Sequence, residues 1–212
     1  MKNRWKTKSL LAALTLAVVA SLAPVTTPQA SAEEIYTGHP LRWTVKVGAY
    51  WGIRVNYTQL MPLGSVYRNT ATAACKNWMA VKQAYCVISD YSTSNVDMVQ
   101  ASTAFWTDHK VPSNVVAWEV STDSAGHQIF TAAEAATTTG RVAYAAIYFA
   151  PTTNKTVAAS ATYQTNVIMH EIGHVYGMGH TTANTDLMWG GGITAIMALS
   201  SADQAVMASF YK

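Results

Sequence analysis

Hydrophobic and polar positions divide the chain into segments of two different periods. Leu41 to Tyr57 (LRWTVKVGAYWGIRVNY) alternates and is rich in β-branched and aromatic residues, which predicts one strand with a break at Gly48 or Gly52. Ser65 to Ala84 places Val66, Ala73, Ala74, Trp78 and Val81 at mostly helical spacing and predicts a long amphipathic helix. Tyr85 to Ser89 and Val96 to Ala101 read as short strands around the turn-rich Ser92–Asn95. Val115 to Val120 reads as another strand, followed by a turn at Asp123–Gly126. Val142 to Phe149 is an apolar strand stopped by Pro151. Thr162 to Gly177 predicts a helix that Gly177 is suited to end in a left-handed conformation. Ser201 to Tyr211 predicts a last helix, with Ser201 and Gln204 in capping-box spacing. One sheet with about three helices is an α+β layout.

The first residues follow neither period. Lys2, Arg4, Lys6 and Lys8 precede the apolar run Leu10–Ala23, and Ala30-Ser31-Ala32 supplies small residues for cleavage. Residues 1–32 therefore read as a secretory signal peptide, 33–42 as a short tail and 43–212 as one domain. An uncleaved anchor is the weaker reading, because the run is short and is followed by Pro24 and Pro28.

Removing the leader reverses the charge. The full chain carries 14 basic and 11 acidic residues, and four of the basic ones lie in the leader. A mature chain near −1 gives no reason to expect nucleic acid or an anionic membrane as partner. Cys75 and Cys86 are the two cysteines. Export favours a bridge between them, and two buried free thiols is the alternative. A bridge requires the chain to reverse between them, since one continuous helix would hold them too far apart.

The candidate chemistry is concentrated in residues 170–180, HEIGHVYGMGH, which hold three of the six histidines. On a helix His170 and His174 share one face and can hold one Zn²⁺. Glu171 lies at the edge of that face, where it can reach a water without displacing a ligand. Gly177 permits a sharp exit that brings His180 back as third ligand, leaving the fourth position open, as in catalytic zinc sites. HExxHxxGxxH followed by a methionine, here Met188, is the metzincin pattern.

On these residues the chain resembles a matrixin-type metzincin, the matrix-metalloproteinase branch of the zincins. The resemblance is strongest from Gln164 to Met188 and includes Gln164, Val167 and Gly173 as well as the ligands. It implies a zincin-like domain with one twisted mixed sheet, Met188 in a Met-turn, and Asp203 buried beneath that turn. Ala202 stands where the family has a first aspartate, so the family's tie between that carboxylate and the mature N-terminus has no counterpart. Gly190 stands where astacin-like relatives carry a tyrosine ligand, which favours three histidines alone. The interval between the expected cleavage point and the first strand leaves no room for the family's inhibitory prodomain.

The resemblance implies a secreted, monomeric zinc endopeptidase with one catalytic ion and Glu171 as general base. Its protein or peptide substrate would lie extended along an edge strand, for which Val115–Val120 is the candidate. A hydrolase of cell-wall peptide amides and a silent zincin-fold binding protein are the alternatives. Asp108, His109, Asp123 and His127 have the residue types of a second zinc site without the family's spacing, and no EF-hand loop points to calcium.

Overall fold

The structure, a computed structural model, describes residues 42–57, 60–63, 65–111, 115–129, 141–151, 160–191 and 196–211. The expected signal peptide and nearly all of the tail lie outside them.

The first strand region is three strands rather than one: β1 (Arg42–Trp43), β2 (Lys46–Val47) and β3 (Tyr50–Asn56). The chain turns at Gly48, so β2 and β3 form an antiparallel hairpin, while β1 leaves to pair in parallel with β8 (Arg141–Phe149). Helix α1 (Val66–Trp78) follows, and it is shorter than its apolar pattern. Turns at Met79–Gln83 reverse the chain into β4 (Ala84–Ile88), and this reversal brings Cys75 and Cys86 into a disulfide with Cα atoms 4.9 Å apart.

Then come β5 (Val96–Gln100), a short helix α2 (Thr103–Asp108), β6 (Ala117–Asp123), β7 (Gln128–Ile129) and β8. Helices α3 (Ala161–Val175) and α4 (Ser201–Phe210) complete the described elements. Among the described residues there are thus four helices rather than three. The unexpected one, α2, is capped by Ser102, whose side chain accepts the Phe105 N–H.

The strands form one mixed sheet. β4 lies on the far side of β3, β3 pairs in parallel with β5, and β5 pairs in parallel with β8. β6 runs antiparallel to β8, from Ala117 opposite Phe149 to Asp123 opposite Val142. β7 covers only Ser121 and Thr122 on the other side of β6. Among the described residues, Ala117–Val120 therefore has no strand on its outer side.

Successive side chains of β8 point to opposite faces. Phe149 meets Tyr67 of α1 on one face, and Tyr148 stacks on Phe105 of α2 on the other. The core fills the first face, between the sheet and α1 with α3. Trp78 is fully buried there and its indole N–H donates to the Met169 carbonyl of α3 at 3.0 Å, locking the two helices in register. Tyr176 is also fully buried, and its hydroxyl donates to the carbonyls of Trp51 and Tyr85 at 3.2 and 3.1 Å. The histidine-bearing helix is thereby tied to both its neighbouring helix and the sheet. Among the described residues no helix is long and apolar enough to cross a membrane.

Candidate metal centre

α3 begins at Ser160, whose hydroxyl accepts the Tyr163 N–H. Its last two turns are buried on nearly every side, which is why apolar residues surround the polar His170, Glu171 and His174. The helix ends where Gly177 takes φ +86°, a conformation that costs a glycine little. The Gly177 and Met178 N–H groups return to the carbonyls of His174 and Gly173 at 2.8 and 3.0 Å. The exit then runs beside the Met188 turn. Thr181 N–H donates to the Met188 carbonyl at 2.8 Å, and Gly190 N–H to the Thr181 carbonyl at 2.9 Å. These bonds place His180 opposite the helix.

His170, His174 and His180 converge, with ligand atoms all within 4.8 Å of one another. His170 Nδ1 lies 2.8 Å from the Leu187 carbonyl and His174 Nδ1 lies 2.8 Å from the Met178 carbonyl. A carbonyl only accepts, so both Nδ1 atoms carry the hydrogen and both Nε2 atoms present lone pairs. Those Nε2 atoms are 3.2 Å apart. With no proton between them they repel unless a cation sits there. Two nitrogens on one tetrahedral zinc lie roughly 3.3 Å apart, from Zn–N distances of about 2.0–2.1 Å. The donor set and its spacing fit zinc.

Burial keeps the His170 and His174 imidazoles neutral. His170 is lowered to about 4, first by burial and then by His180 beside it, against the opposing bond to Leu187. His174 is held well below the ordinary histidine range by burial and by the other two rings. A neutral imidazole is the form that binds metal.

Glu171 is buried on the same helix. Burial pushes it up to about 8, the nearby Glu119 carboxyl adds to the rise, and a hydrogen bond from the Glu119 backbone N–H opposes it. Glu119 lies on β6, and nothing in the sequence pattern singled it out. Its own carboxyl is half-buried, is pushed up to about 8 by burial, and accepts the Ser121 hydroxyl at 2.7 Å.

Met188 is fully buried below the ligands. Asp203 is fully buried as well, and its Oδ2 accepts the Leu187 N–H at 3.1 Å and the Ser200 N–H at 2.9 Å. Leu187 thus takes a bond from His170 through its carbonyl and gives one to Asp203 through its N–H. The α4 capping box is formed by Ser200 and Asp203, not by Ser201 and Gln204. The register moves by one because Asp203 is held by Leu187 at the same time. Gly190 lies against the His180 ring, leaving no side chain there to act as a ligand.

The residue types considered for a second zinc do not come together among the described residues. His109 stacks on Phe105 with ring centroids 4.1 Å apart, while His127 pairs with Asp123 at 3.1 Å in an exposed turn. Part of the expected wall Trp189–Ala198, residues 192–195, lies outside the described residues.

Comparison with known proteins agrees with this geometry. Residues 53–209 match the family model Reprolysin_5, Metallo-peptidase family M12. No curated protein matches the chain. Among solved structures, a crystal structure of myroilysin is similar at 12% identity and TM-score 0.44, over 88% of this chain and 97% of that one. A second myroilysin structure is similar at 11% identity and TM-score 0.44, over 84% and 93%. Neither likeness is close enough to bear on substrate or mechanism. The family match spans most of the chain and includes the three histidines, so this chain belongs to metallo-peptidase family M12 and is a zinc metalloprotease with a zincin-like α+β fold.

Proposed function

We propose that the chain is an exported, matrixin-like endopeptidase that works with one zinc ion and uses Glu171 as general base. The observation that carries this is the pair of Nε2 atoms 3.2 Å apart, with both Nδ1 hydrogens directed at carbonyls. Zinc bound by the three histidines would acidify a water toward a pKa of about 7 and polarise the scissile carbonyl. Glu171 takes the proton released in the attack and delivers it to the leaving amine. The N–H of Glu119 holds the Glu171 carboxyl toward β6, the strand with the open edge. An extended substrate added antiparallel to Ala117–Val120 places its scissile bond beside that carboxyl. The buried Asp203 beneath Met188 and the absence of a side-chain ligand at Gly190 support the matrixin-like reading. The leader Lys2–Ala32 and the Cys75–Cys86 bridge support export.

The test is Glu171→Gln assayed on casein. Activity falls by roughly 10²–10⁴-fold while zinc content is retained. Undiminished cleavage by this variant would remove Glu171 from its role.

A further inference from the structure

Glu119 brings its backbone and its carboxyl close to Glu171. Its N–H donates to Glu171. In an antiparallel ladder the N–H and C=O of one residue point to the same side. The Glu119 carbonyl therefore also faces away from its β8 partner Ile147, toward the side of β6 that carries no strand among the described residues. Its carboxyl leaves β6 on the face shared with Ser121, the face packed against α3.

The groups around that carboxyl are unusual for an acid. Ile147 is apolar, Ser121 offers a hydroxyl, and Glu171 is a second carboxyl. Beyond Glu171, from α1, comes Tyr67, fully buried, close enough to Glu171 for that carboxyl to disfavour ionisation of the phenol, with no partner for its hydroxyl among the described residues. None of these neighbours is a cation. A half-buried carboxyl beside another carboxyl is costly when ionised, and among the described residues none of the groups that act on it is positive. Glu119 is not fully enclosed: the residue keeps part of its surface exposed.

We propose that Glu119 is a specificity-determining residue that receives a cationic group of the substrate, an ammonium or guanidinium, beside the scissile bond. This rests on the peptidase reading above. The charges fit. When ionised, the Glu119 carboxylate supplies the opposite charge for such a group, with the Ser121 hydroxyl as its hydrogen-bond donor. The same chemistry has two sources, a lysine or arginine side chain and a free α-amino terminus.

The experiment compares kcat/KM on matched peptides with Leu, Lys or Arg flanking the cleaved bond, each with a free or acetylated amino terminus. Wild type favours cationic over neutral peptides by about 10-fold or more, and the ratio collapses toward one in Glu119→Gln. A preference kept in acetylated peptides identifies a side chain, and one seen only with free termini identifies the α-amine. No preference in wild type, or an unchanged ratio in the variant, overturns the role of Glu119. If wild type cleaves none of the peptides, the peptidase reading itself fails. A binding measurement on wild type avoids dependence on the variant's folding. Calorimetry on the zinc-loaded protein compares N-acetyl-lysine methylamide, leucinamide and N-acetyl-leucine methylamide. At least one of the two cations binds about 10-fold tighter than the neutral compound, and equal binding of all three overturns the proposal.

Discussion

Gly173 and Met188 touch across the floor of the metal centre: a Cβ on Gly173 would run into the Met188 sulfur. The glycine inside HEIGH is therefore a packing requirement of the turn that carries Met188 and Leu187. Leu187 in turn orients His170.

Gly173→Ala should cost on the order of 1–3 kcal/mol through overpacking, and zinc should bind more weakly because Leu187 shifts with the turn. Combining it with Met188→Ala should restore part of the loss, because the second change removes the clashing atoms. Denaturant midpoints and zinc titrations on the two single variants and the double variant check this. Additive losses would show that the two side chains are not coupled.

Asp203 acts on the metal centre through one peptide unit. Its Oδ2 accepts the Leu187 N–H, and the Leu187 carbonyl faces His170 Nδ1. Asp203→Ala leaves the buried Leu187 N–H and the part-buried Ser200 N–H without their acceptor and should cost roughly 2–4 kcal/mol. Asp203→Asn keeps one acceptor oxygen and should cost less. Urea unfolding of both variants measures the difference, and equal losses would contradict the acceptor role.

The Cys75–Cys86 bridge joins residues 11 apart in sequence and ties the end of α1 to β4. A short loop gives a modest chain-entropy gain, so Cys75→Ala with Cys86→Ala should cost about 2–3 kcal/mol. Thermal melts with and without reductant check it. No difference between them would show that the bridge contributes nothing to stability.

Glu119 makes the zinc-free protein sensitive to alkali. Its folded pKa of about 8 lies above the ordinary carboxyl value of 4.5. Its contribution to stability is therefore fully present below about 4.5 and is lost as pH rises through 8. Glu119→Gln stays neutral and escapes that loss. Relative to pH 5, the variant should gain more than about 1 kcal/mol over wild type at pH 9. Urea midpoints of both zinc-free proteins at the two pH values measure this, and parallel curves would contradict it.

The parts legible in the sequence are those whose physical cause is local. The α3 pattern, the positive φ of Gly177 and the apolar run of β8 all follow from neighbours in the chain. So does the spacing of His170, His174 and His180, which needs only the helix repeat and a sharp exit. The misses have nonlocal causes. α1 stops at Trp78 although its apolar pattern continues, because β4 must return alongside β3. The α2 helix is six residues long, too short for a period to show, and only Ser102 announced it. The carbonyls of Leu187 and Met178 orient two ligands through backbone atoms, which no residue type records. A glutamate in the strand AWEVSTD looks like an ordinary polar position, so nothing local marks Glu119. Only the packing of β6 on α3 brings it to Glu171.

The central claim is that three neutral imidazoles hold one catalytic zinc. Elemental analysis of the folded protein, made in parallel on wild type and His180→Ala, tests it most directly. The account predicts one zinc per wild-type chain, its loss to a chelator together with protease activity, and sharply reduced zinc in the variant. Folded wild type that takes up no zinc, or a variant that keeps its zinc in full, would contradict it.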